Sequence, residues 1–157
     1  GERDRLMVPG LLKILRMPVV PLMGPGSNTV PAVYAGNLAG AMRLVLKAAR
    51  GGTTYDLGCD HSLTQRDLLE GLARGLGTRV RFAAIPAGLV TGAARLMDRL
   101  GMSTPGAKHL PIFRVVRLAL GDNPYASERV RQELGWEPAH EHRDALERAA
   151  RWAGDNL

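Results

Sequence analysis

Three places in this 157-residue chain set reactive residue types close together. Cys59-Asp60-His61 puts a thiol beside a carboxylate and an imidazole, the residue types of an activated nucleophile. Such chemistry needs a base within hydrogen-bond reach and donors aimed at the developing oxyanion. Adjacent residues of one loop rarely align for attack, and no oxyanion donor is identifiable, so the run is weak as a catalytic set. His140-Glu141-His142 offers an imidazole pair with a carboxylate between. A metal centre asks for three or four ligands. The other histidines, His61 and His109, sit in loops far away in sequence, so this run reads as a solvated helix start and no metal site is expected. Gly71-x-x-x-Gly75-x-Gly77 mimics a dinucleotide fingerprint. It falls at the end of a helix rather than between a strand and a helix, so it cannot aim helix amides at a pyrophosphate.

The elements that would position these residues follow from periodicity and punctuation. A short helix is expected over residues 6–15, then a Pro-punctuated extended run over 17–23, closed by the turn cluster Gly24-Pro25-Gly26-Ser27-Asn28. Residues 29–34 are β-branched and short, a strand candidate. Gly36-Asn37 leads into an amphipathic helix over 38–49, with Met42, Val45 and Leu46 on one side and Asn37 as its cap. Thr53-Thr54-Tyr55-Asp56-Leu57-Gly58, bracketed by glycines, is the best strand candidate of the chain. Thr64 caps a helix reaching about residue 75, with Asp67 in its first turn and a stripe of Leu68, Leu69, Leu72 and Leu76. Residues 80–85 read as a strand broken by Pro86, and 87–100 and 110–119 as helices, with Ser103-Thr104-Pro105-Gly106 a flexible connection. A closing helical pair follows over 126–134 and 139–153. Between its members, Gly135 supplies a left-handed helix end, Pro138 prevents continuation and Trp136 has a ring to bury. Short strands alternating with helices argue an α/β fold, although two or three strands are few for a complete doubly wound sheet.

Composition narrows the class. Apolar content of 45% and charged content of 23% are globular values, and aromatics at 4% leave the core to Leu, Val, Ala and Met. A net charge of +6 invites nucleic acid, but the arginines are scattered and few aromatics interleave with them as a stacking platform would need, so no nucleic-acid partner is expected. A single cysteine excludes an internal disulfide and fits a reducing compartment. No run approaches the roughly 20 apolar residues of a membrane span, and the charged first residues do not read as a signal peptide, so a soluble cytoplasmic protein without a membrane partner is expected.

Several of these segments resemble one family in the right order. Gly24-Pro25-Gly26-Ser27-Asn28-Thr29-Val30-Pro31-Ala32-Val33-Tyr34-Ala35-Gly36-Asn37-Leu38-Ala39, then Gly52-Thr53-Thr54-Tyr55-Asp56-Leu57-Gly58, then Ser62-Leu63-Thr64 with its Leu-rich helix, and finally Leu134-Gly135-Trp136-Glu137-Pro138 with a last Trp-bearing helix, are similar to the second half of extended short-chain dehydrogenases/reductases, the NAD-dependent epimerase/dehydratase group. The resemblance implies a helix-rich C-terminal, substrate-side portion of an extended Rossmann-type enzyme, with residues 1–157 one unit. It implies NAD or NADP in the parent enzyme, held by a glycine-rich loop in a first half that this chain lacks, so that the chain alone binds no cofactor. The family's Tyr-x-x-x-Lys pair is missing too: none of Tyr34, Tyr55 and Tyr125 has Lys four residues on, and the nearest case, Tyr125 with Arg129, offers a guanidinium that cannot be tuned as lysine can. No catalytic residue is therefore assigned. Gly1-Glu2-Arg3-Asp4 looks like the stretch that follows the family's Asn-x-Tyr-Gly-Pro turn.

The same resemblance implies a pocket. Nucleotide-sugar members carry an Arg-Asp pair in the short strand, whose arginine clamps a phosphate. Val30-Pro31 stands there, which favours hydroxysteroids, phenolic aldehydes or similar apolar alcohols and ketones; Val30 reads equally as a buried strand residue. Pro21 and Met23 align with pocket-wall positions, or are simple core, and Arg117 and Asp122 fall near the family's Arg…Gly-Asp element, at a spacing shorter than usual. The implied activity is hydride transfer on a carbinol or ketone, or an epimerisation built on it. The alternatives are a stand-alone binding or interaction module and one chain of a split enzyme. Expected partners are a small-molecule substrate and either a second copy or the missing N-terminal half.

Overall fold

The computed structural model of the chain describes residues 1–48, 51–102 and 111–156. Helix α1 spans Met7–Leu15, strand β1 Val20–Met23, α2 Ala35–Ala48, α3 Gln65–Gly75, β2 Phe82–Ile85, α4 Ala87–Arg99, α5 Ile112–Leu120, α6 Glu128–Leu134 and α7 His142–Asn156. The two strands pair in parallel, Val20 opposite Phe82 and Met23 opposite Ile85, so the chain is α/β, helix-rich, with few and short strands.

The main core lies where α1, α3 and α7 converge over β1. Val8, Leu12 and Leu15 of α1, Val20 and Leu22 of β1, Leu68, Leu69 and Leu72 of α3, and Ala149, Ala150 and Ala153 of α7 form one buried cluster. Small residues let α3 and α7 approach closely. A Cβ added at Gly71 would come within 2.6 Å of Leu146 Cδ1, and one at Gly75 within 2.6 Å of the Glu147 carbonyl oxygen. Two of the glycines that mimic a cofactor fingerprint, Gly71 and Gly75, are therefore a helix-packing surface. A second, smaller cluster joins Ala41 of α2, Val130 of α6 and Trp136, with Tyr55 and Leu57 packed against it.

Local chemistry sets the helix ends. Thr64 and Asp67 form a reciprocal capping box at the start of α3. Pro86 and Pro111 stand immediately before α4 and α5, and the Asp98 carboxylate accepts the Ile112 and Phe113 amides at 2.7 and 3.0 Å, tying α5 to α4 as a hairpin. Gly135 ends α6 at φ +62°, the left-handed turn its sequence requires.

Three expectations need correction. Residues 29–34 form no strand, only an isolated Thr29–Thr64 bridge, because Pro31 has no N–H for a ladder. Residues 53–58 keep the alternation of a half-buried strand, Tyr55 and Leu57 inward and Thr54 and Asp56 exposed, yet no strand among the described residues pairs with them. The second helix begins at Ala35, which places Asn37 inside it rather than at its cap. The expected connection Ser103-Thr104-Pro105-Gly106 and His109 lie outside the described residues.

Candidate functional site

Ligands of parallel α/β sheets gather beyond the carboxyl ends of the strands. Those ends here are Met23 and Ile85, partners in the register. Beyond Ile85 the α4–α5 hairpin encloses a groove of about 400 Å³ lined by Ile85, Leu89, Val90, Ala93, Ala94, Met97, Ile112 and Val116. No charged side chain lines it among the described residues. Leu89 stays 66% exposed at its rim. An apolar concave surface of this kind suits an apolar ligand.

The five residues singled out from the sequence fall around this end of the sheet in different ways. Pro21 and Met23 are half-buried in β1. Val20 N–H donates to the Arg81 carbonyl and Gly24 N–H to that of Ile85, so residues 21 and 23 face the outer edge of the strand. Pro21 has no donor to offer there, and the Met23 N–H is taken by Gln65 Oε1 at 2.9 Å. Val30 packs against the main core and its N–H bonds the Leu63 carbonyl. Asp122 accepts the Thr29 N–H at 2.9 Å, and the neighbouring Asn123 N–H returns to Thr29 Oγ1 at 2.9 Å. Arg117 lines a different depression along α5, with Phe113 and Leu118. The structure thus brings Asp122 to the segment that holds Val30, and sets Arg117 apart.

Asn28 was missed in the sequence, where it read only as a turn residue. Its Nδ2 donates to the Ala119 carbonyl at 2.7 Å, fixing the glycine turn after β1 to the end of α5, while its Oδ1 is buried with no hydrogen-bond partner among the described residues. Nothing in sequence spacing announces a contact across so many residues.

The Cys59-Asp60-His61 run is dispersed by folding. The Cys59 thiol faces the Tyr125 carbonyl, and burial pushes it up, with Arg131 opposing and Asp60 and Glu128 adding to the rise, so it is not a thiolate at neutral pH. Asp60 turns to the Tyr34 N–H at 2.9 Å and Asn37 Nδ2 at 2.7 Å. The His61 Nε2 lies 3.0 Å from the His140 carbonyl oxygen. Three side chains with three separate partners do not make a nucleophile with its base.

Asn37 is instead the buried hub of the region, 1% exposed. It donates to Asp60 and to the His140 carbonyl, accepts the His140 N–H, and its own carbonyl accepts the Trp136 indole N–H at 3.3 Å. The Leu-Gly-Trp ending is thereby tied to α2 and to the loop at Asp60. That loop also brings His61 to the start of α7, where its Nδ1 lies 4.0 Å from Glu141 Oε2.

With this geometry in hand, comparison with known proteins defines the class of fold. No protein-family model matches the chain. It is similar to the uncharacterized protein y4nG of Sinorhizobium fredii, 28% identical over 134 residues, which cover 85% of this chain and 32% of the relative. It is similar also to the uncharacterized protein YbjS of Escherichia coli, 26% identical over 161 aligned residues covering 99% of this chain and 48% of the relative. Among solved structures it resembles the dTDP-glucose 4,6-dehydratase of Bacillus anthracis in complex with NAD, at a TM-score of 0.57 and 17% identity, covering 95% of this chain and 39% of that one. The likeness to that dehydratase is one of fold alone, and the chain spans about a third to a half of the length of the curated relatives it matches.

The residues present do not fit NAD. Gly71 and Gly75 are pressed against α7. The Gly24–Gly26 turn does follow a strand, but a Cβ at Gly26 would meet Leu22 at 2.8 Å, so that glycine serves its own turn, and the next helix starts only at Ala35. Among the described residues no glycine loop opens a helix toward a phosphate.

Proposed function

We propose that this chain is the substrate-side part of a longer NAD(P)-dependent oxidoreductase or epimerase, which moves a hydride on a carbinol or ketone held against the α4–α5 groove. The observation that carries this reading is the segment at residues 53–58, which has the alternation of a strand and no sheet to join among the described residues. A half-buried extended segment whose Thr54 and Gly58 carbonyls are met by the side chains of Arg129 and Asn123 rather than by a strand calls for neighbouring strands. Beside it, α2 exposes an apolar stripe of Leu38, Met42 and Leu46, the last 78% exposed, at helical spacing of four. The dinucleotide and the acid/base pair belong, on this reading, to the portion that would cover both.

The groove favours an apolar alcohol or ketone, sterol-like or phenolic, over a nucleotide sugar. Its lining carries no cation for a diphosphate, and Val30-Pro31 occupies the short segment where a clamp would stand. The test is made on the whole protein. Its binding of NADH and NADPH is titrated beside that of the 157-residue chain, followed by turnover on steroid and phenolic ketones and on dTDP-glucose. Dinucleotide binding by the whole protein alone, with turnover of apolar ketones that Leu89→Glu lowers through KM, is expected. Tight NADH binding by the isolated chain would contradict the division of labour, and turnover confined to dTDP-glucose would overturn the substrate class.

A further inference from the structure

The histidine pair at the start of α7 lacks ligands only as long as the chain is read in one dimension. Folding carries His61 against it, so that His61, Glu141 and His142 offer three ligand atoms within 4.8 Å of one another. We propose that these three residues form a binding site for a divalent transition-metal ion of the Zn²⁺ type.

The donor set is suited to such an ion, since two imidazoles and a carboxylate are ligands that Zn²⁺ and its neighbours accept. The tautomer is set in the right sense. The His61 Nε2 lies 3.0 Å from the His140 carbonyl oxygen, which can only accept, so Nε2 carries the proton. Nδ1 then presents its lone pair on the side of Glu141 Oε2, 4.0 Å away. A ligating histidine whose other N–H is held by a backbone carbonyl is the usual outer arrangement of a metal site. The His142 ring stands 5.3 Å from that of His61, and its Nδ1 is buried with no hydrogen-bond partner among the described residues. A buried polar atom left unanswered by the protein is a second, independent sign that a group is wanted there.

Metal–nitrogen and metal–oxygen bonds of about 2.0–2.1 Å place tetrahedral ligand atoms roughly 3.3 Å apart. The three donors, up to 4.8 Å apart, must therefore close by up to about 1.5 Å, an adjustment helped by Glu141, whose side chain is 73% exposed. Three protein ligands leave a fourth position open. A bound ion would cross-link the loop at residues 59–63 to the first turn of α7, and so hold the closing helix in place.

The test is titration of the tag-free chain with Zn²⁺ by calorimetry and with Co²⁺ by visible absorption. One ion per chain at a Kd of about 1 μM or tighter is expected, together with a rise in melting temperature. Glu141→Gln changes an exposed side chain and keeps the fold, and it should weaken Zn²⁺ by at least about tenfold. His142→Gln should abolish binding, with an unchanged circular dichroism spectrum showing that the variant is folded. No saturable binding up to about 0.1 mM, or equal affinity in Glu141→Gln and His142→Gln, would overturn the site. A sulfur-to-cobalt charge-transfer band would assign the ion to Cys59 and overturn it as well.

Discussion

The side chain of Asn37 and the backbone of His140 bond each other twice, Nδ2 to the carbonyl oxygen at 2.9 Å and Oδ1 from the N–H at 2.9 Å. An amide side chain is here paired with a peptide group as another peptide would be. The pair fixes the segment after Trp136 before α7 begins, and with it the heights at which His140 meets Tyr34 and Glu141 meets His61. The same Asn37 also serves a buried carboxylate, Asp60.

Removing that amide leaves several buried groups without partners at once. Asn37→Ala strips the His140 N–H of its acceptor and Asp60 of one of its two donors, and should cost about 2–4 kcal/mol, read as a lower urea midpoint at unchanged m-value. Asn37→Asp retains the size but cannot donate, and sets a second carboxylate against Asp60. Two carboxylates in one site raise the folded pKa of one of them. The resulting penalty is full above the raised value and is relieved as pH falls from it toward the ordinary carboxylate range. Asn37→Asp should therefore be worse than Asn37→Ala at pH 7 and recover at pH 5. An Asp variant insensitive to pH would show that Asn37 and Asp60 do not face each other.

The sequence was most legible where a local device decides. The capping box at Thr64 and Asp67, the left-handed Gly135 and Pro86 before α4 each act within a few residues, and each is where periodicity and punctuation put it, whereas the helix expected over 110–119 runs from Ile112 with Pro111 before it. Residues 53–58 show the limit of that logic: the side-chain alternation is present, but a strand is defined by a partner, and alternation does not supply one. For the site the limit is harsher. Asn37 read as a helix cap because only its neighbours are visible in sequence, whereas its partners are Asp60 and His140. The His140-Glu141-His142 run read as solvated because the third donor, His61, arrives through the tertiary fold.

Acid should loosen the N-terminus first. Partial burial works to raise the Asp4 carboxyl, but the Leu6, Met7 and Val8 amides that it accepts outweigh this and hold it below its ordinary value of 3.8. Burial likewise opposes the Glu2 carboxyl, which the Tyr34 hydroxyl, its own backbone N–H and Arg148 hold below 4.5. A depressed folded pKa contributes stability that is present above the unfolded value and lost as pH falls through the folded one. Asp4→Ala should cost about 1 kcal/mol at pH 7, the usual worth of a helix cap, and progressively less below about pH 3.8. Thermal unfolding of both proteins across pH 7 to 3 gives the comparison. A gap that stays constant down to pH 3 would mean that the carboxylate is not what holds the first turn of α1.

The α3–α7 contact separates packing from propensity. Alanine is the better helix former by about 1 kcal/mol, so both Gly71→Ala and Gly75→Ala should stabilise the chain if the glycines are idle. The neighbours argue otherwise, and unequally. At Gly71 the new Cβ meets Leu146, a side chain with rotamers to spare, at 2.6 Å from Cδ1 and 3.0 Å from Cβ. At Gly75 it meets the backbone of α7 itself, the Glu147 oxygen at 2.6 Å and its Cα at 2.8 Å, and nothing there gives way unless the helix shifts. Overpacking of this kind costs about 1–3 kcal/mol, so Gly75→Ala should destabilise by about 2 kcal/mol net, whereas Gly71→Ala should fall near neutral. Leu146→Ala would open the space that Gly71→Ala fills, and the pair should couple favourably in a double-mutant cycle, while Leu146→Ala should leave the cost of Gly75→Ala nearly unchanged. Gly77→Ala is the control for strain without contact, since its φ of +66° carries a penalty of about 1–2 kcal/mol in otherwise open space. Urea unfolding of the four single and two double variants decides the order, and a neutral or stabilising Gly75→Ala would mean that the two helices do not approach as closely as the glycines allow.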